Sequence, residues 1–162
     1  MTQSVRSIFP LAVAFSAAVF AATAMAEPVP YPDGYRHWHH VKSMVIGQDH
    51  PLADPFAGIH HVYANDLALQ GLGSGSHDDG SILVFDLLEA QEGDGVLTEG
   101  SRKLVGVMVK SRNVYPDTGG WGFEGFAGDS REQRLTNDGG QACFSCHLPQ
   151  AEQDYVFSDW RR

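Results

Sequence analysis

The chemistry-bearing stretch of this chain is Q-A-C-F-S-C-H, in which the only two cysteines, Cys143 and Cys146, are followed directly by His147. Two thiols separated by two residues can add to the two vinyl groups of one porphyrin and form two thioether bonds. The adjacent imidazole then lies beneath the iron and can act as its proximal ligand. The spacing C-x-x-C-H is the signature of c-type haem attachment, so it predicts one covalently bound haem c with His147 as the iron ligand.

Three other uses of these residues are possible. A thioredoxin-like dithiol belongs at the start of a helix in a βαβ setting, and no such alternation of elements is present in the sequence. A zinc site needs about four ligands, and there is no second cysteine pair to complete one. A disulfide between Cys143 and Cys146 would close too small a loop to add much stability. The motif therefore favours haem attachment over these alternatives.

Haem iron can also take a sixth ligand, and the sequence offers several candidates for it. After residue 26 they are two methionines and seven histidines: Met44, Met108, His37, His39, His40, His50, His60, His61 and His77. Adjacent histidines on a strand point to opposite faces, so neighbours such as His60 and His61 cannot both face one haem. A hydrogen-bonded or surface imidazole is the commoner role of a histidine, and Met108 among valines is typical of core packing. The pattern requires no sixth ligand.

The N-terminus has the features of a secretory signal. A short start with Arg6 precedes an apolar run over residues 8–20, and Ala24-Met25-Ala26 forms an A-x-A cleavage site. Residues 1–26 are therefore predicted to be a cleaved signal peptide that directs the chain to the periplasm. No second apolar segment of membrane length follows, so we expect no membrane span after cleavage.

The remaining residues, 27–162, have the length of a single domain. The whole chain carries 20 acidic and 11 basic side chains, which gives a formal net charge of −9. Such a chain repels nucleic acid and anionic lipid, whereas it could attract a basic redox partner protein. We therefore expect no nucleic-acid partner.

Alternating apolar and polar residues predict strands in four segments, namely 60–64, 81–90, 102–111 and 120–128. Residues 36–46 fit either a strand or a short helix, and residues 65–73 predict a brief helix capped by Asn65 or Asp66. Loops are predicted over residues 48–58, 73–80 and 91–100, and one or two short helices are expected around the cysteines. The pattern indicates an α+β fold, a mainly antiparallel β-sheet with a few short helices.

Several short stretches, taken in order, resemble the cytochrome P-460 family, which also contains the cytochrome c′-beta proteins. They are Tyr35-Arg36 and Trp38, PFAGIHHVYAN at 55–65, DGSILVFDL at 79–87, VMVKS at 107–111, GGWGF at 119–123 and DYVF at 154–157, together with the C-x-x-C-H motif. The resemblance implies a mainly antiparallel β fold and usually a homodimer. It also implies a c-type haem packed against the sheet, with an open distal side.

Two departures from part of that family bear on function. In the hydroxylamine-oxidising members a strand lysine cross-links to the haem, and the matching position here is Phe85. Those members also carry a distal carboxylate, whose matching position falls near Gly106. The cytochrome c′-beta proteins instead cap the distal face with two phenylalanines, which match Phe56 and Phe85. The resemblance thus implies that these phenylalanines border the cofactor.

Strand geometry agrees with an apolar distal side, because Leu83, Phe85 and Leu87 share one face of their strand. Such a side lacks a general acid or base and admits small neutral gases. We therefore expect an open site that binds nitric oxide or a similar gas. A haem oxidoreductase acting on hydroxylamine or peroxide, and a low-spin electron-transfer cytochrome, are the alternatives.

Overall fold

The computed structural model describes residues 27–161, and the predicted signal peptide, residues 1–26, lies outside the described residues. One five-stranded antiparallel sheet forms the centre of the domain, with the strands side by side in chain order. The strands are β1 (His39–Ile46), β2 (Gly58–Ala64), β3 (Ile82–Gly93), β4 (Val96–Lys110) and β5 (Trp121–Ala127). With few and short helices beside this sheet, the predicted α+β architecture is confirmed.

The helices are α1 (Ala53–Phe56), α2 (Asp66–Ser74) and α3 (Gln141–His147), with 3-10 turns at Tyr35–His37, Pro116–Thr118 and Leu148–Gln153. Asn65 caps α2, because its side chain accepts a hydrogen bond from the backbone N–H of Ala68. The ambiguous segment 36–46 is mostly strand, and the predicted loop 48–58 contains the single turn α1. Within residues 27–161, no helix combines the length and the hydropathy that a membrane span requires.

The hairpin formed by β3 and β4 is longer than predicted. Residues 91–100 were expected to be a loop, but both strands continue to a two-residue turn at Asp94 and Gly95, with φ angles of 51° and 75°. A turn with two positive φ angles matches the twist of a hairpin. The prediction was wrong because this end of the hairpin is exposed on both sides, so its residues show no apolar alternation.

The two faces of the sheet are covered by different parts of the chain. On one face Leu83 and Phe123 pack with residues of α2 and α3, and we call this the helix face. On the other, Val84 and Phe126 pack against the N-terminal segment that contains Val29, and we call this the segment face. Directly paired residues of neighbouring strands point to the same side. The register therefore places Val62, Phe85, Gly106 and Gly125 in one row on the helix face.

Candidate functional site

Helix α3, which carries the C-x-x-C-H motif, is fixed against β5 at its first turn. The residue before it, Gly140, has a φ of 84°, and a Cβ there would lie 2.7 Å from the carbonyl oxygen of Phe123. The carboxylate of Asp138 accepts hydrogen bonds from the N–H groups of Gly140 and Ala142. The helix thus begins where only glycine allows such a close approach to the strand.

The two cysteines lie on this helix three residues apart, so both are on the same side as His147. Both are free thiols, of which Cys146 is exposed and Cys143 is partly buried against the core. Burial, assisted by the negative charge of Asp138, raises the pKa of the Cys143 thiol. No disulfide joins the pair, so the spacing leaves two thiols and an imidazole together on one helix.

The orientation of His147 is set by a backbone carbonyl. Its Nδ1 lies 2.7 Å from the carbonyl oxygen of Tyr155, which can only accept, so Nδ1 carries the proton. The rings of Phe123 and Phe157 pack against it, each with its centroid 5.0 Å from that of the imidazole. Burial lowers the pKa of His147, which favours the neutral ring. Nε2 therefore keeps a lone pair that can bind a metal.

The two phenylalanines singled out from the sequence are in contact. Phe56 is the last residue of α1 and Phe85 lies in β3, and their rings meet edge to face with centroids 5.9 Å apart at 89°. Phe85 is paired with Gly106, which is paired in turn with Gly125. A Cβ at Gly106 would come no closer than 3.5 Å to its neighbours, so this part of the sheet is open backbone beside an aromatic pair.

His60 completes this aromatic group, and its burial could not be read from the sequence. Its side chain is 1% exposed, its centroid lies 4.6 Å from that of Phe85, and its Nδ1 has no hydrogen-bond partner. Burial, together with nearby His61 and Lys42, lowers its pKa to about 4. The sequence offered it only as one of seven histidines. Its burial depends on the pairing of β2 with β3, which sets the His60 ring beside Phe85.

Most of the other candidate sixth ligands contact different groups. Met44 is 39% exposed, and Met108 packs in the apolar cluster of the helix face. The histidines with polar side-chain partners are His39 (Asp66), His40 (Ser43), His61 (Ser43 and Glu99) and His77 (Asp154). His37 and His50 are exposed. In residues 27–161, no three or more His, Cys, Asp or Glu side chains form a group that could hold a metal ion.

The buried carboxylates of the sheet point away from Phe85. Asp86 and Glu124 lie in rows of the segment face, because their cross-strand partners are Val105 and Val107. Asp86 is fully buried between the guanidinium groups of Arg36 and Arg102. Glu124 accepts hydrogen bonds from Arg134 and Thr136. Neither carboxylate therefore lies on the side of the sheet that carries Phe85, and the buried polar side chain beside that ring is His60.

A search of curated proteins returned no match. The family model described as cytochrome P460 matches residues 32–158, which include all five strands, α3 and both phenylalanines. The match extends over most of the chain and agrees with the resemblance noted in the sequence. The chain therefore belongs to the cytochrome P460 family, and this membership implies a haem cofactor.

Proposed function

We propose that this chain is an exported c-type haem protein whose open, apolar distal side binds nitric oxide or a similar small neutral gas. In this proposal Cys143 and Cys146 hold the haem, His147 is the proximal iron ligand, and Phe56 and Phe85 border the distal side. The proposal depends on one observation. Helix α3 carries two free thiols and an imidazole that is oriented by a backbone carbonyl, and the sheet on which α3 packs carries Phe85, in contact with Phe56, on its helix face.

Three features of the described residues support a haem at this position. The donors suit a haem, because Nδ1 of His147 is already bonded and leaves Nε2 as a ligand. Gly106 provides bare backbone on the sheet that a flat ring can approach, because a Cβ there would meet nothing closer than 3.5 Å. Large apolar side chains near α3 are about half exposed, namely Leu148 (49%) and Phe157 (52%). Exposed apolar surface of this kind is typical of a ligand-binding region.

Covalent attachment needs no oxidant. Each thiol adds across one vinyl double bond, so that sulfur bonds to one carbon and the thiol proton ends on the other. The exposed Cys146 and the partly buried Cys143 lie three residues apart on α3, at the spacing that two neighbouring vinyl groups require. The haem itself supplies an iron that can bind diatomic gases and exchange electrons.

The residues on the distal side would act by keeping charged ligands away from the iron. The edge-to-face pair of Phe56 and Phe85 offers no proton donor, and His60, whose ring centroid lies 4.6 Å from that of Phe85, carries no charge above a pH of about 4. The buried carboxylates Asp86 and Glu124 lie on the other face of the sheet and cannot relay protons here. Such a surface disfavours charged ligands and suits small neutral ones, which supports gas binding over hydroxylamine or peroxide chemistry.

The absorption spectrum of the ferrous protein, matured in a host that attaches c-type haem, tests the proposal. We expect a five-coordinate spectrum that changes when nitric oxide or carbon monoxide is added. A six-coordinate ferrous iron that ignores both gases would instead identify a low-spin electron carrier. Steady turnover of hydroxylamine with an external electron acceptor would identify an enzyme.

Attachment is tested separately by replacing both thiols. The double variant Cys143→Ser, Cys146→Ser should lose its haem on denaturation, whereas Ser145→Ala, between the two cysteines, should retain it. Haem that stays with the double variant after denaturation would contradict the assignment of the cysteines.

Export and assembly are part of the same proposal. The purified protein should begin at Glu27, come from the periplasm and be a homodimer by light scattering.

A further inference from the structure

We propose that a buried polar cluster behind α3 positions the proximal histidine and thereby sets the strength of its bond to iron. The cluster consists of Asp154, Lys110, His77 and Trp121, and we call it the Asp154 cluster. It holds the backbone carbonyl of Tyr155 in place as the hydrogen-bond acceptor of His147. This inference rests on the proposed function, because it assumes that His147 is the iron ligand.

The backbone at the acceptor is held in an unusual conformation. Asp154 and Tyr155 have φ angles of 52° and 65°, in the left-handed region that side chains other than glycine disfavour. Two such residues in a row persist only where the surroundings over-determine them, and such sites are often functional. Here the result is that the Tyr155 carbonyl turns toward Nδ1 of His147, at 2.7 Å.

The first anchor of this turn is Asp154 itself, which accepts hydrogen bonds at three oxygen atoms. Its backbone oxygen accepts from the indole Nε1 of Trp121 at 2.9 Å. One carboxylate oxygen accepts from Nζ of Lys110 at 2.5 Å, and the other from the backbone N–H of His77 at 2.9 Å. The donors are 0%, 3% and 1% exposed, respectively. Residues from β4, β5 and the loop after α2 thus converge on one position.

The second anchor is the ring of Tyr155, which lies over a glycine. A Cβ at Gly119 would lie 2.2 Å from Cε2 of this ring, so the ring needs the bare backbone there. The same Gly119 accepts a hydrogen bond from Nζ of Lys110 at 3.0 Å. The side chain and the backbone of the Tyr155 turn are therefore both tied to the strand ends near Lys110.

The charge pair in the cluster is better explained by positioning than by stability. Lys110 is almost fully buried, lies over the Trp121 ring at 4.9 Å, and forms its ion pair with Asp154. A buried ion pair is weak evidence for stability, because desolvation offsets much of the attraction. What it does supply is a fixed geometry at Asp154, one residue before the carbonyl that His147 uses.

The consequence for iron follows from the hydrogen bond. A carbonyl held close to Nδ1–H draws the proton away from the ring and raises the basicity of Nε2. A stronger acceptor therefore gives a stronger iron–imidazole bond and stabilises the oxidised iron. Weakening the Asp154 cluster should do the reverse without touching His147.

The test uses the full holoprotein and compares Asp154→Ala with Asp154→Asn. Asparagine tolerates the left-handed conformation and keeps one acceptor oxygen, which can accept from either Lys110 or the His77 N–H but not from both, whereas alanine has neither property. The matched control is Asp159→Ala, an exposed acid a few residues further on. The readouts are the iron–histidine stretching band in the ferrous resonance Raman spectrum and the midpoint potential.

We expect Asp154→Ala to shift the band to lower wavenumber and the potential to more positive values. Asp154→Asn should shift both in the same direction but by less than Asp154→Ala, and Asp159→Ala should leave both unchanged. If Asp154→Ala does not fold, Trp121→Phe removes the indole hydrogen bond to the Asp154 backbone oxygen, keeps an aromatic ring in the core, and should give a smaller shift in the same direction. A band that stays in place in whichever variant folds would overturn this inference alone. A band missing from the unchanged protein would mean that the iron has a sixth ligand or is not bound by His147, and either result would overturn the proposed function.

Discussion

The imidazole of His60 lies against the ring of Phe85, with centroids 4.6 Å apart and planes tilted by 36°. The histidine is fully buried and its Nδ1 is unpaired, so it is an unsatisfied polar group inside an apolar region. Such groups cost stability unless they have a role. The pair therefore gives both a thermodynamic prediction, for His60, and a kinetic one, for Phe85.

Replacing His60 by leucine should remove part of the pH dependence of folding. Burial lowers its pKa from 6.5 to about 4, so the unfolded chain takes up the proton first as the pH falls. The natural protein should lose up to about 3 kcal/mol through this group between pH 6.5 and about 4. His60→Leu should therefore gain free energy of unfolding relative to the natural protein as the pH falls through this window.

Urea unfolding of the holoprotein at about pH 7.5 and about pH 4.5 measures this difference. The exposed His37 provides the control, because His37→Leu should follow the natural protein at both values. Burial also lowers the pKa of His77 and His147, but these two histidines are present in all three proteins and change their stability equally. If His60→Leu and the natural protein lost the same free energy of unfolding between these two pH values, His60 would not be buried as a neutral ring.

Truncating Phe85 should open the distal side to ligands. Phe85→Ala removes the ring that meets Phe56 edge to face, and we expect gas association to be about tenfold faster, which corresponds to about 1.4 kcal/mol in the barrier. Flash photolysis of the carbon monoxide complex measures this rate. Phe157→Ala, on the His147 side, is the control and should leave association nearly unchanged. A rate unaffected by Phe85→Ala would contradict the distal role of this residue.

The start of α3 gives a prediction with a closely matched control. Gly139 and Gly140 both have positive φ angles, 68° and 84°, so alanine carries a similar backbone cost at each. A Cβ at Gly140 meets Phe123 at 2.7 Å, however, whereas one at Gly139 meets nothing within 4 Å. Gly140→Ala should therefore be less stable than Gly139→Ala by about 1–3 kcal/mol.

Urea unfolding of the two variants gives this comparison, and the yield of attached haem gives a second one. Gly140→Ala should reduce the yield because the helix that carries both cysteines can no longer approach β5. Equal stability of the two variants would show that α3 moves away from Phe123 without cost.

Replacing the buried carboxylate of Asp86 should cost more free energy of unfolding than replacing any other charged group on the segment face. Burial raises its pKa, but hydrogen bonds from Arg102 and Arg36 outweigh this and hold the pKa below its usual value. Asp86→Asn leaves two guanidinium groups without their shared partner and should cost about 3 kcal/mol of unfolding free energy. Because the pKa is depressed, this stabilisation is present at neutral pH and is lost only in acid.

The control for Asp86 is Asp129, which pairs with the same Arg102 but is 80% exposed. Asp129→Asn should change the unfolding free energy by less than about 1 kcal/mol. Urea unfolding at neutral pH compares the two. Similar losses in both variants would mean that burial does not distinguish these carboxylates.

Local patterns in the sequence were sufficient to predict most of the strands of the sheet. The alternation in residues 81–90 and 102–111 marked β3 and β4, and it separated Leu83 and Phe85 from Val84 and Asp86. The same patterns missed the outer part of the hairpin, because exposed strand residues carry no apolar alternation. They also left residues 36–46 undecided, since β1 is exposed along much of its length and its pairing with β2 alone makes it a strand.

The sequence by itself determined the chemistry that α3 can carry, because C-x-x-C-H is a local spacing that needs no knowledge of the fold. It also identified the family, because short stretches in a fixed order do not depend on contacts. Only the tertiary structure decided which of seven histidines is buried beside Phe85, and that residues as distant as His77, Lys110 and Asp154 meet behind His147. These contacts join positions far apart in the chain. Cross-strand register and burial, which no local pattern encodes, bring them together.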